Sequence, residues 1–191
     1  LGRLVFSQNT LQYDPDENSA TTPTSYSYTT YDALSRPVEA GQVTVGTSSS
    51  TPFSTVLGAT INGAYNPTAI DLEQVPTFLS ASGNARTEVT ATQYDEALAL
   101  VNLPVAQDNL RLRVASTTFE QTYDGDPLKY DHATHYSYDI HGNVKQLVQD
   151  IPELNLDAGL GGAQKYTGPH RYKTLHYTYG LVSGNVNTVN Y

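Results

Sequence analysis

The stretch "HYSYDIHGNVKQLVQD", residues 135–150, contains two alternating runs of apolar and polar side chains separated by a turn signal. Successive side chains of an extended strand point to opposite faces. Tyr136 and Tyr138 therefore share one face of the first run, and Val144 and Val148 share one face of the second. Two such runs predict a pair of strands that pack a common side.

The segment between the two runs, Asp139–Asn143, has the chemistry of a tight turn. The carboxylate of Asp139 can accept hydrogen bonds from backbone N–H groups two or three residues further on. Gly142 has no Cβ, so it adopts at low cost the positive φ that reverses the chain. Residues 135–150 therefore predict a β-hairpin.

A second copy of this pattern is "YDALSRPVEAGQV", which contains Tyr31, Asp32 and Arg36. Ser35 stands where the first copy has glycine. Either Ser35 takes a positive φ, at a cost of about 1 kcal/mol, or the turn changes type. The alternating run that follows again predicts the return strand of a hairpin.

A third copy is "YTYGLVSGNVNTV", which contains Tyr177, Tyr179, Gly184 and Asn185. Glycine replaces the turn aspartate, and the turn has one additional residue. A fainter copy, "TATQYDEALAL", keeps Tyr94 and its aspartate but lacks the glycine, and the opening "LGRLVF" looks like the second half of a unit. Repetition of one supersecondary unit predicts a repeat architecture.

The composition agrees with a folded β protein. The chain has 191 residues, 38% of them apolar, with 15 tyrosines and no tryptophan, and tyrosine favours half-buried strands. The net charge of -9 argues against nucleic acid or an anionic membrane surface as a partner. No run approaches the roughly 18 apolar residues of a membrane helix. The lack of cysteine excludes disulfides and thiol chemistry, and the lack of methionine indicates a mature or internal piece of a longer protein.

Other segments add one strand, one short helix and several loops to the prediction. In "NLRLRVAS" we expect Leu110, Leu112 and Val114 to be buried on one face of a strand, with the two arginines on the wetter face. Residues 46–84 are predicted to be a loop-rich insertion, with at most one or two short turns of helix near residues 70–82.

We predict no metal site and no cofactor. One histidine-rich cluster is present, but His135 and Asp139 lie about 13 Å apart along an extended strand, too far to share one ion. This cluster comprises Asp131, His132, His135, Asp139 and His141. Asp14, Asp16 and Asn18 have the spacing of a calcium loop but lack the glycine and the glutamate that complete one.

The sequence shows no catalytic constellation. "GLGGAQK" has neither a preceding apolar strand nor a following helix, so it predicts a loop and not a phosphate site. No Gly-x-Ser-x-Gly motif is present. We therefore predict that the chain is not an enzyme.

The pattern Tyr-x-Tyr-Asp-x-x-Gly-(Arg or Asn), followed by an alternating strand, resembles the YD repeat of the RHS and YD-repeat family. The copy from Tyr136 to Asn143 matches it almost position for position, and the copies at Asp32 and Gly184 match in part. The order of segments from "DNLRLRVASTTFEQTYDG" to "HYSYDIHGNVKQL" is similar to that of large RHS proteins of Bacteroidota. The resemblance covers about two thirds of the chain by this motif comparison.

This resemblance implies an all-β fold in which consecutive antiparallel hairpins form part of a curved, spiralling sheet around a hollow shell. Residues 1–191 would then be one shell segment, incomplete at both ends and expected to expose unpaired strand edges when isolated. Such shells enclose a C-terminal toxin or form a large secreted or cell-surface scaffold. The implied partners are the rest of the parent chain, enclosed cargo and secretion or cell-surface proteins. The family's self-cleavage motif is not found here.

A second hypothesis is a binding module at the cell surface. In it the tyrosine-rich faces of the hairpins contact glycans or a partner protein, because aromatic rings stack on sugar rings. Packing of the tyrosines within the sheet is the simpler interpretation of the same pattern.

Overall fold

The structure is a computed structural model. It describes residues 3–9, 12, 24–46, 60–61, 64–65, 70–99, 103–126, 128–152, 171–180 and 184–191. Within these ranges no helix is long and apolar enough to cross a membrane.

Eleven strands and one short helix make up the described secondary structure. The strands are β1 (Phe6–Ser7), β2 (Thr24–Tyr31), β3 (Pro37–Val45), β4 (Thr60–Ile61), β5 (Ala64–Tyr65), β6 (Asn84–Tyr94), β7 (Val114–Thr122), β8 (His132–Tyr138), β9 (Val144–Asp150), β10 (Tyr172–Tyr179) and β11 (Val186–Asn190). The helix is α1 (Val75–Leu79).

Nine of the strands form one open sheet in the order β1-β2-β3-β6-β7-β8-β9-β10-β11. Neighbouring strands from β1 to β3 and from β7 to β11 pair in antiparallel orientation. Strands β4 and β5 form a separate small hairpin. The sequence-based prediction of an all-β fold built from consecutive antiparallel hairpins is therefore confirmed.

The chain divides into two compact units. The first contains residues Leu1–Val89 and Gln121–Asp126, and the second contains Thr90–Glu120 and Pro127–Tyr191. The division passes through β6 and β7, so each of these strands contributes residues to both units.

The core of the first unit lies between its strands and α1. Phe78 of the helix and Val43 of β3 are fully buried, and Phe6 meets the Phe78 ring edge-on with centroids 5.7 Å apart. Pro76 occupies the first turn of α1, where the missing N–H would have no intrahelical partner. The helix ends at Leu79, and the hydroxyl of the next residue, Ser80, donates to the Pro76 carbonyl oxygen at 2.8 Å. The predicted short helical turn near residues 70–82 is confirmed.

The prediction for "NLRLRVAS" is wrong in part. Leu110 is buried as expected, but Leu112 is 69% exposed, and β7 begins only at Val114. The alternation breaks because Asn109 and Leu112 have φ values of 55° and 60°, which belong to turns and not to strands. The N–H of Arg113 donates to the Leu110 carbonyl oxygen at 2.8 Å and closes this turn.

Replacement of Phe78 by alanine should destabilise the first unit by about 3–5 kcal/mol, because it removes a fully buried ring and leaves a cavity. Urea unfolding of the two variants Phe78→Ala and Leu72→Ala would measure the difference. Leu72 is 58% exposed and adjacent to the same helix, so its truncation should change the unfolding free energy by less than about 0.5 kcal/mol. Equal effects of the two substitutions would contradict the described core.

Candidate functional site

The turn between β8 and β9 is organised around the carboxylate of Asp139. Its Oδ1 accepts the backbone N–H groups of His141 and Asn143, each at 2.9 Å, and its Oδ2 accepts the Asn143 side-chain amide at 2.9 Å. The backbone closes the turn through Asp139 N–H to the Asn143 carbonyl oxygen at 2.9 Å. The side-chain hydrogen bond from Asn143, followed by the backbone N–H groups, lowers the pKa of Asp139.

The turn between β2 and β3 repeats this arrangement bond for bond. Asp32 Oδ1 accepts the N–H groups of Leu34 at 2.9 Å and Arg36 at 2.8 Å, and its Oδ2 accepts the Arg36 Nε at 2.7 Å. The closing bond runs from Asp32 N–H to the Arg36 carbonyl oxygen at 3.0 Å. Ser35 takes the positive φ, 69°, so the turn keeps its type despite the absence of glycine.

The turn between β10 and β11 closes in the same way although it lacks the aspartate. The N–H of Gly180 donates to the Asn185 carbonyl oxygen at 2.8 Å, and Gly184 N–H donates to the Gly180 carbonyl oxygen at 2.9 Å. Gly184 has a φ of 67°. The predicted third copy therefore has the same backbone closure without the carboxylate hydrogen bonds.

A fourth turn of this kind joins β6 to β7, and its second half was missed in the sequence. The N–H of Asp95 donates to the Arg113 carbonyl oxygen at 3.1 Å, which is the same closing bond. Leu112, the residue before Arg113, has the positive φ of 60° and donates its N–H to Asp95 Oδ1 at 2.5 Å. The return strand of the "TATQYDEALAL" copy is therefore β7.

The two parts of this turn, Asp95 and Leu112–Arg113, are separated by a long segment that belongs to neither strand of the hairpin. The departure begins at Asp95, which has a φ of 68°. Near the return, the side-chain amide of Gln107 donates to the carbonyl oxygens of Ala115 at 2.6 Å and Tyr136 at 3.0 Å. Tyr138 N–H donates to the Asp108 carbonyl oxygen at 3.1 Å. The returning segment thus occupies the space between the ends of β7 and β8.

A tyrosine precedes the turn in three of the copies and bonds to the preceding strand. The hydroxyl groups of Tyr31, Tyr138 and Tyr179 donate to the carbonyl oxygens of Leu4, Val114 and Val144, at 3.0, 2.8 and 2.8 Å respectively. We call each of these three hydrogen bonds a tyrosine bridge. The bridges of Tyr138 and Tyr179 join a hairpin to the strand before it in the sheet, and that of Tyr31 joins its hairpin to the residues that lead into β1.

The three tyrosine bridges are equivalent in register. Ser116 pairs with His135, so residue 113 would lie opposite Tyr138, and the acceptor is the next residue, Val114. Val148 pairs with Thr174, which places residue 143 opposite Tyr179, and the acceptor is again the next residue. The pairing of Phe6 with Tyr28 places residue 3 opposite Tyr31, whose acceptor is Leu4. The repeat inferred from sequence is thus also a repeat of hydrogen bonds between strands.

The other predicted motif tyrosines lie within the sheet. Tyr136 of β8 is half-buried and stacks on Tyr138, with centroids 6.4 Å apart, and Tyr177 of β10 pairs with Val189 of β11. No hydrogen bond of either hydroxyl group is present among the described residues. These two residues therefore contribute ring surface and not a tyrosine bridge.

A buried polar network, also missed in the sequence, lies in the second unit. Asp150, fully buried, accepts hydrogen bonds from the Tyr130 hydroxyl at 2.6 Å and from Arg171 Nε at 2.5 Å and its second nitrogen at 2.8 Å. Burial alone would raise the pKa of Asp150, but the His135, Arg171 and Tyr130 groups that face it lower the pKa to about 2. Burial and the bond to Asp150 raise the pKa of Tyr130.

The first unit contains a similar network of tyrosine, carboxylate and arginine. The Tyr28 hydroxyl donates to Glu39 Oε1 at 2.6 Å, and Arg86 donates to the same oxygen at 2.7 Å. The Arg86 guanidinium also lies 3.8 Å from the centroid of the Tyr123 ring. In both networks an arginine pairs with the carboxylate, so the negative charge is compensated within the network.

Ser116, His135 and Asp150 resemble a hydrolase triad in composition but not in geometry. The Ser116 hydroxyl lies 2.8 Å from His135 Nδ1, whereas His135 Nε2 lies 4.0 Å from Asp150 Oδ2, too far for a hydrogen bond. All three residues are at most 1% exposed. No substrate could reach the hydroxyl group in this arrangement, so it is a structural network.

The structure places the histidine-rich cluster in separate environments. His135 is buried, whereas His132 and His141 are exposed. Across the described part of the chain, no group of three histidine, aspartate or glutamate side chains could hold a metal ion together. Asp14, Asp16, Asn18 and the "GLGGAQK" segment lie outside the described residues.

A small depression in the first unit has a volume of about 120 Å³ and is lined by Arg3, Val5, Tyr31 and Leu72, among others. Binding sites for drug-sized molecules usually enclose about 300–1,000 Å³. The guanidinium of Arg3 lies 5.4 Å from the Tyr31 ring centroid, so the one cation at this depression faces an aromatic ring. The depression carries no catalytic arrangement.

Comparison of the chain with protein-family models, with curated proteins and with solved structures gave no match. The fold and the repeated turns define the chain as an all-β protein of consecutive hairpins.

Gly142 should be costly to replace because of its backbone conformation. Its φ is 94°, and a Cβ there would lie 2.7 Å from the Arg113 guanidinium. We expect Gly142→Val to lower the unfolding free energy by about 1–3 kcal/mol, because a β-branched residue is strained at positive φ.

The matched control for backbone strain alone is the glycine at 125. It has a φ of 96°, and a Cβ there would meet nothing within 4 Å. We expect Gly142→Ala to be more destabilising than Gly125→Ala in urea unfolding, and Arg113→Ala to remove that difference. If the two alanine variants lose the same unfolding free energy, the close approach of Arg113 does not contribute to the cost of replacing Gly142.

The tyrosine bridges should each contribute measurable stability. Tyr138→Phe and Tyr179→Phe remove only the hydroxyl group and leave a carbonyl oxygen without its donor, so each should cost about 1 kcal/mol in urea unfolding. Tyr136→Phe is the control, since its hydroxyl has no hydrogen bond among the described residues, and it should be neutral. A neutral result for both bridge variants would show that the bonds are dispensable.

The network at Asp150 predicts a pH dependence. Its pKa is lower in the folded chain than the ordinary 3.8, so its stabilising effect is complete above the ordinary value and is lost as the pH falls towards about 2. Between pH 5 and pH 2 the wild type should therefore lose about 2 kcal/mol more unfolding free energy than Asp150→Asn does. Parallel pH profiles of the two proteins would contradict this prediction.

Proposed function

We propose that this chain is a non-catalytic structural segment of an RHS or YD-repeat wall, whose hairpins join edge to edge into one long sheet. The observation that carries the proposal is the tyrosine bridge, which recurs three times at an equivalent register. A residue that joins each hairpin to the preceding strand stabilises the contact between neighbouring units that an array of hairpins needs. The motif that resembles the family's repeat thus performs the task that such an array requires.

The buried polar groups support a structural function as well. Asp150 and Glu39 are each paired with a tyrosine and an arginine, and Ser116 and His135 are buried together. Ionisable groups with strongly shifted pKa values can act in catalysis only where a substrate can reach them. In this chain they connect strands instead, which fits a wall and not a catalyst.

Within this proposal the wall encloses a toxin or effector cargo, or forms a secreted or cell-surface scaffold. Electron microscopy of the intact protein that contains this segment tests whether the wall encloses a cargo. We expect a hollow particle whose wall is one sheet thick, and a cargo region inside it that resists protease. A solid globular particle, or cargo that is digested as fast as free cargo, would contradict enclosure.

A variant that weakens the wall tests the contribution of this segment. Combining Tyr138→Phe and Tyr179→Phe removes two tyrosine bridges while the buried apolar residues stay in place. We expect the cargo of the intact protein to become sensitive to protease at a lower urea concentration than in the wild type. The corresponding control is Tyr136→Phe, which should leave the protection unchanged.

The alternative, a glycan-binding module, has less support from the geometry. The hydroxyl groups of Tyr31, Tyr138 and Tyr179 are engaged by backbone carbonyl oxygens and are not free to bond to a sugar. Binding to a glycan array that is lost on Tyr136→Ala and Tyr177→Ala would favour this alternative over the wall.

A further inference from the structure

The outer edge of β11 has no neighbouring strand in the described part of the chain. The sheet order places β11 outermost, with β10 on one side and no described strand on the other. All five of its residues are exposed, and Val186–Asn190 contains neither a charged residue nor a proline, two devices that protect edge strands. The backbone of this edge is therefore open to pairing with a further strand.

The start of β11 is equivalent to the start of two strands that accept a tyrosine bridge. In β7 and β9 the accepting carbonyl oxygens belong to Val114 and Val144, and each of these residues directly follows the closing residue of its turn. The closing residue of the turn between β10 and β11 is Asn185, so the equivalent acceptor is the Val186 carbonyl oxygen. No side chain of the described residues donates a hydrogen bond to this oxygen.

The strands that pair with β7 and β9 have one feature in common. Strand β8 pairs with β7 and strand β10 pairs with β9, both in antiparallel orientation, and each ends with the tyrosine of its bridge, Tyr138 or Tyr179. That tyrosine lies opposite the closing residue of the earlier turn. A strand that paired with β11 in the same register would place its last tyrosine opposite Asn185.

We propose that the outer edge of β11 binds, in antiparallel orientation, an extended segment that ends in tyrosine directly before a turn. The tyrosine hydroxyl donates to the Val186 carbonyl oxygen, and the new interface continues the tyrosine-bridged interfaces at β7 and β9. The inference rests on the proposed function, because it names the chemistry of the partner that a wall of hairpins places beside β11.

The opposite edge of the sheet does not offer the same site. The side of β1 that takes part in a tyrosine bridge is already covered by β2, since the Leu4 carbonyl oxygen accepts the Tyr31 hydroxyl. The open side of β1 is the other one. A segment that recognises the bridge acceptor should therefore bind to β11 and not to β1.

A peptide with the sequence of β10 tests the proposal on the whole chain. The probe is "YKTLHYTYG", residues 172–180, with a fluorophore at its N-terminus, because β10 is the strand that pairs with β9 through Tyr179. Fluorescence anisotropy should show saturable binding to the chain of 191 residues.

Two variants of the peptide separate the bridge from general strand pairing. Tyr179→Phe in the peptide removes the hydroxyl of the bridge and should weaken binding by about fivefold. Tyr177→Phe makes the same change two residues earlier, where the hydroxyl has no hydrogen bond among the described residues. This control peptide should bind like the parent.

Hydrogen–deuterium exchange of the unaltered chain locates the bound peptide. We expect slower exchange of the amides of Val186–Asn190 when the parent peptide is bound, because pairing covers that edge. The amides of Phe6–Ser7 in β1 should exchange at an unchanged rate and provide the internal control.

Three results would overturn the proposal. One is the absence of saturable binding at about 1 mM parent peptide, and another is equal affinity of the two phenylalanine peptides. The third is slower exchange in β1, or faster exchange in β11, which would mean that the peptide binds at the wrong edge or replaces β10.

A second copy of the chain is the competing occupant of this edge. If two β11 strands paired symmetrically about Thr188, Tyr191 of each copy would lie opposite Asn185 of the other, and Tyr191 is 97% exposed. A dimer in sedimentation whose β11 amides exchange slowly without peptide would assign the edge to that second copy and overturn the proposal.

The experiment also distinguishes this inference from the proposed wall. A hollow particle in electron microscopy together with no peptide binding would overturn the inference and leave the wall in place. A solid particle together with peptide binding at β11 would overturn the wall and leave the binding edge in place.

Discussion

The left-handed backbone conformation of one residue in each turn is the constraint on which the sheet depends. In each of the four hairpins, the residue just before the closing carbonyl has a positive φ, between 60° and 94°. These residues are Ser35, Leu112, Gly142 and Gly184. With that φ, the first turn residue donates its N–H to the closing carbonyl oxygen at 2.8 to 3.1 Å in all four hairpins. The register of both strands in each hairpin follows from this one bond.

The turns alone would give separate hairpins, and other contacts join them into a sheet. The tyrosine bridges reach back from the end of one hairpin to the strand before it. The networks around Glu39 and Asp150 join further neighbouring segments through charge-assisted hydrogen bonds.

Much of this arrangement follows from the sequence, because its signals are local. Asp139 and Gly142 predict their own turn from side-chain chemistry, whereas for Ser35 the sequence left a positive φ and a change of turn type open. A short helical turn near residues 70–82 was also expected from the sequence, and Pro76, which interrupts the longer periodic stretch, lies in the first turn of α1, where proline is tolerated. Whether the chain belongs to a wall that encloses something is not encoded in these local signals, so that part stays a proposal.

The features missed in the sequence are those that join distant residues. Asp95 and Arg113 form one turn across a long excursion, and Leu112 is a residue type that rarely takes a positive φ. Alternation therefore suggested a continuous strand through Leu112. Similarly, Tyr130, Asp150 and Arg171 come from three separate segments, and no spacing rule relates them.

The most direct test of the account is the unfolding free energy of Leu112→Gly. If Leu112 is the equivalent of Gly142, glycine relieves a strain of about 1–2 kcal/mol and costs about 0.5–1 kcal/mol in chain entropy. Leu112 is 69% exposed, so little packing is lost. The account predicts a stability between unchanged and about 1.5 kcal/mol higher, whereas Leu110→Gly, at a buried position, should cost more than about 3 kcal/mol. A loss of more than about 1 kcal/mol for Leu112→Gly would contradict the equivalence of the four turns.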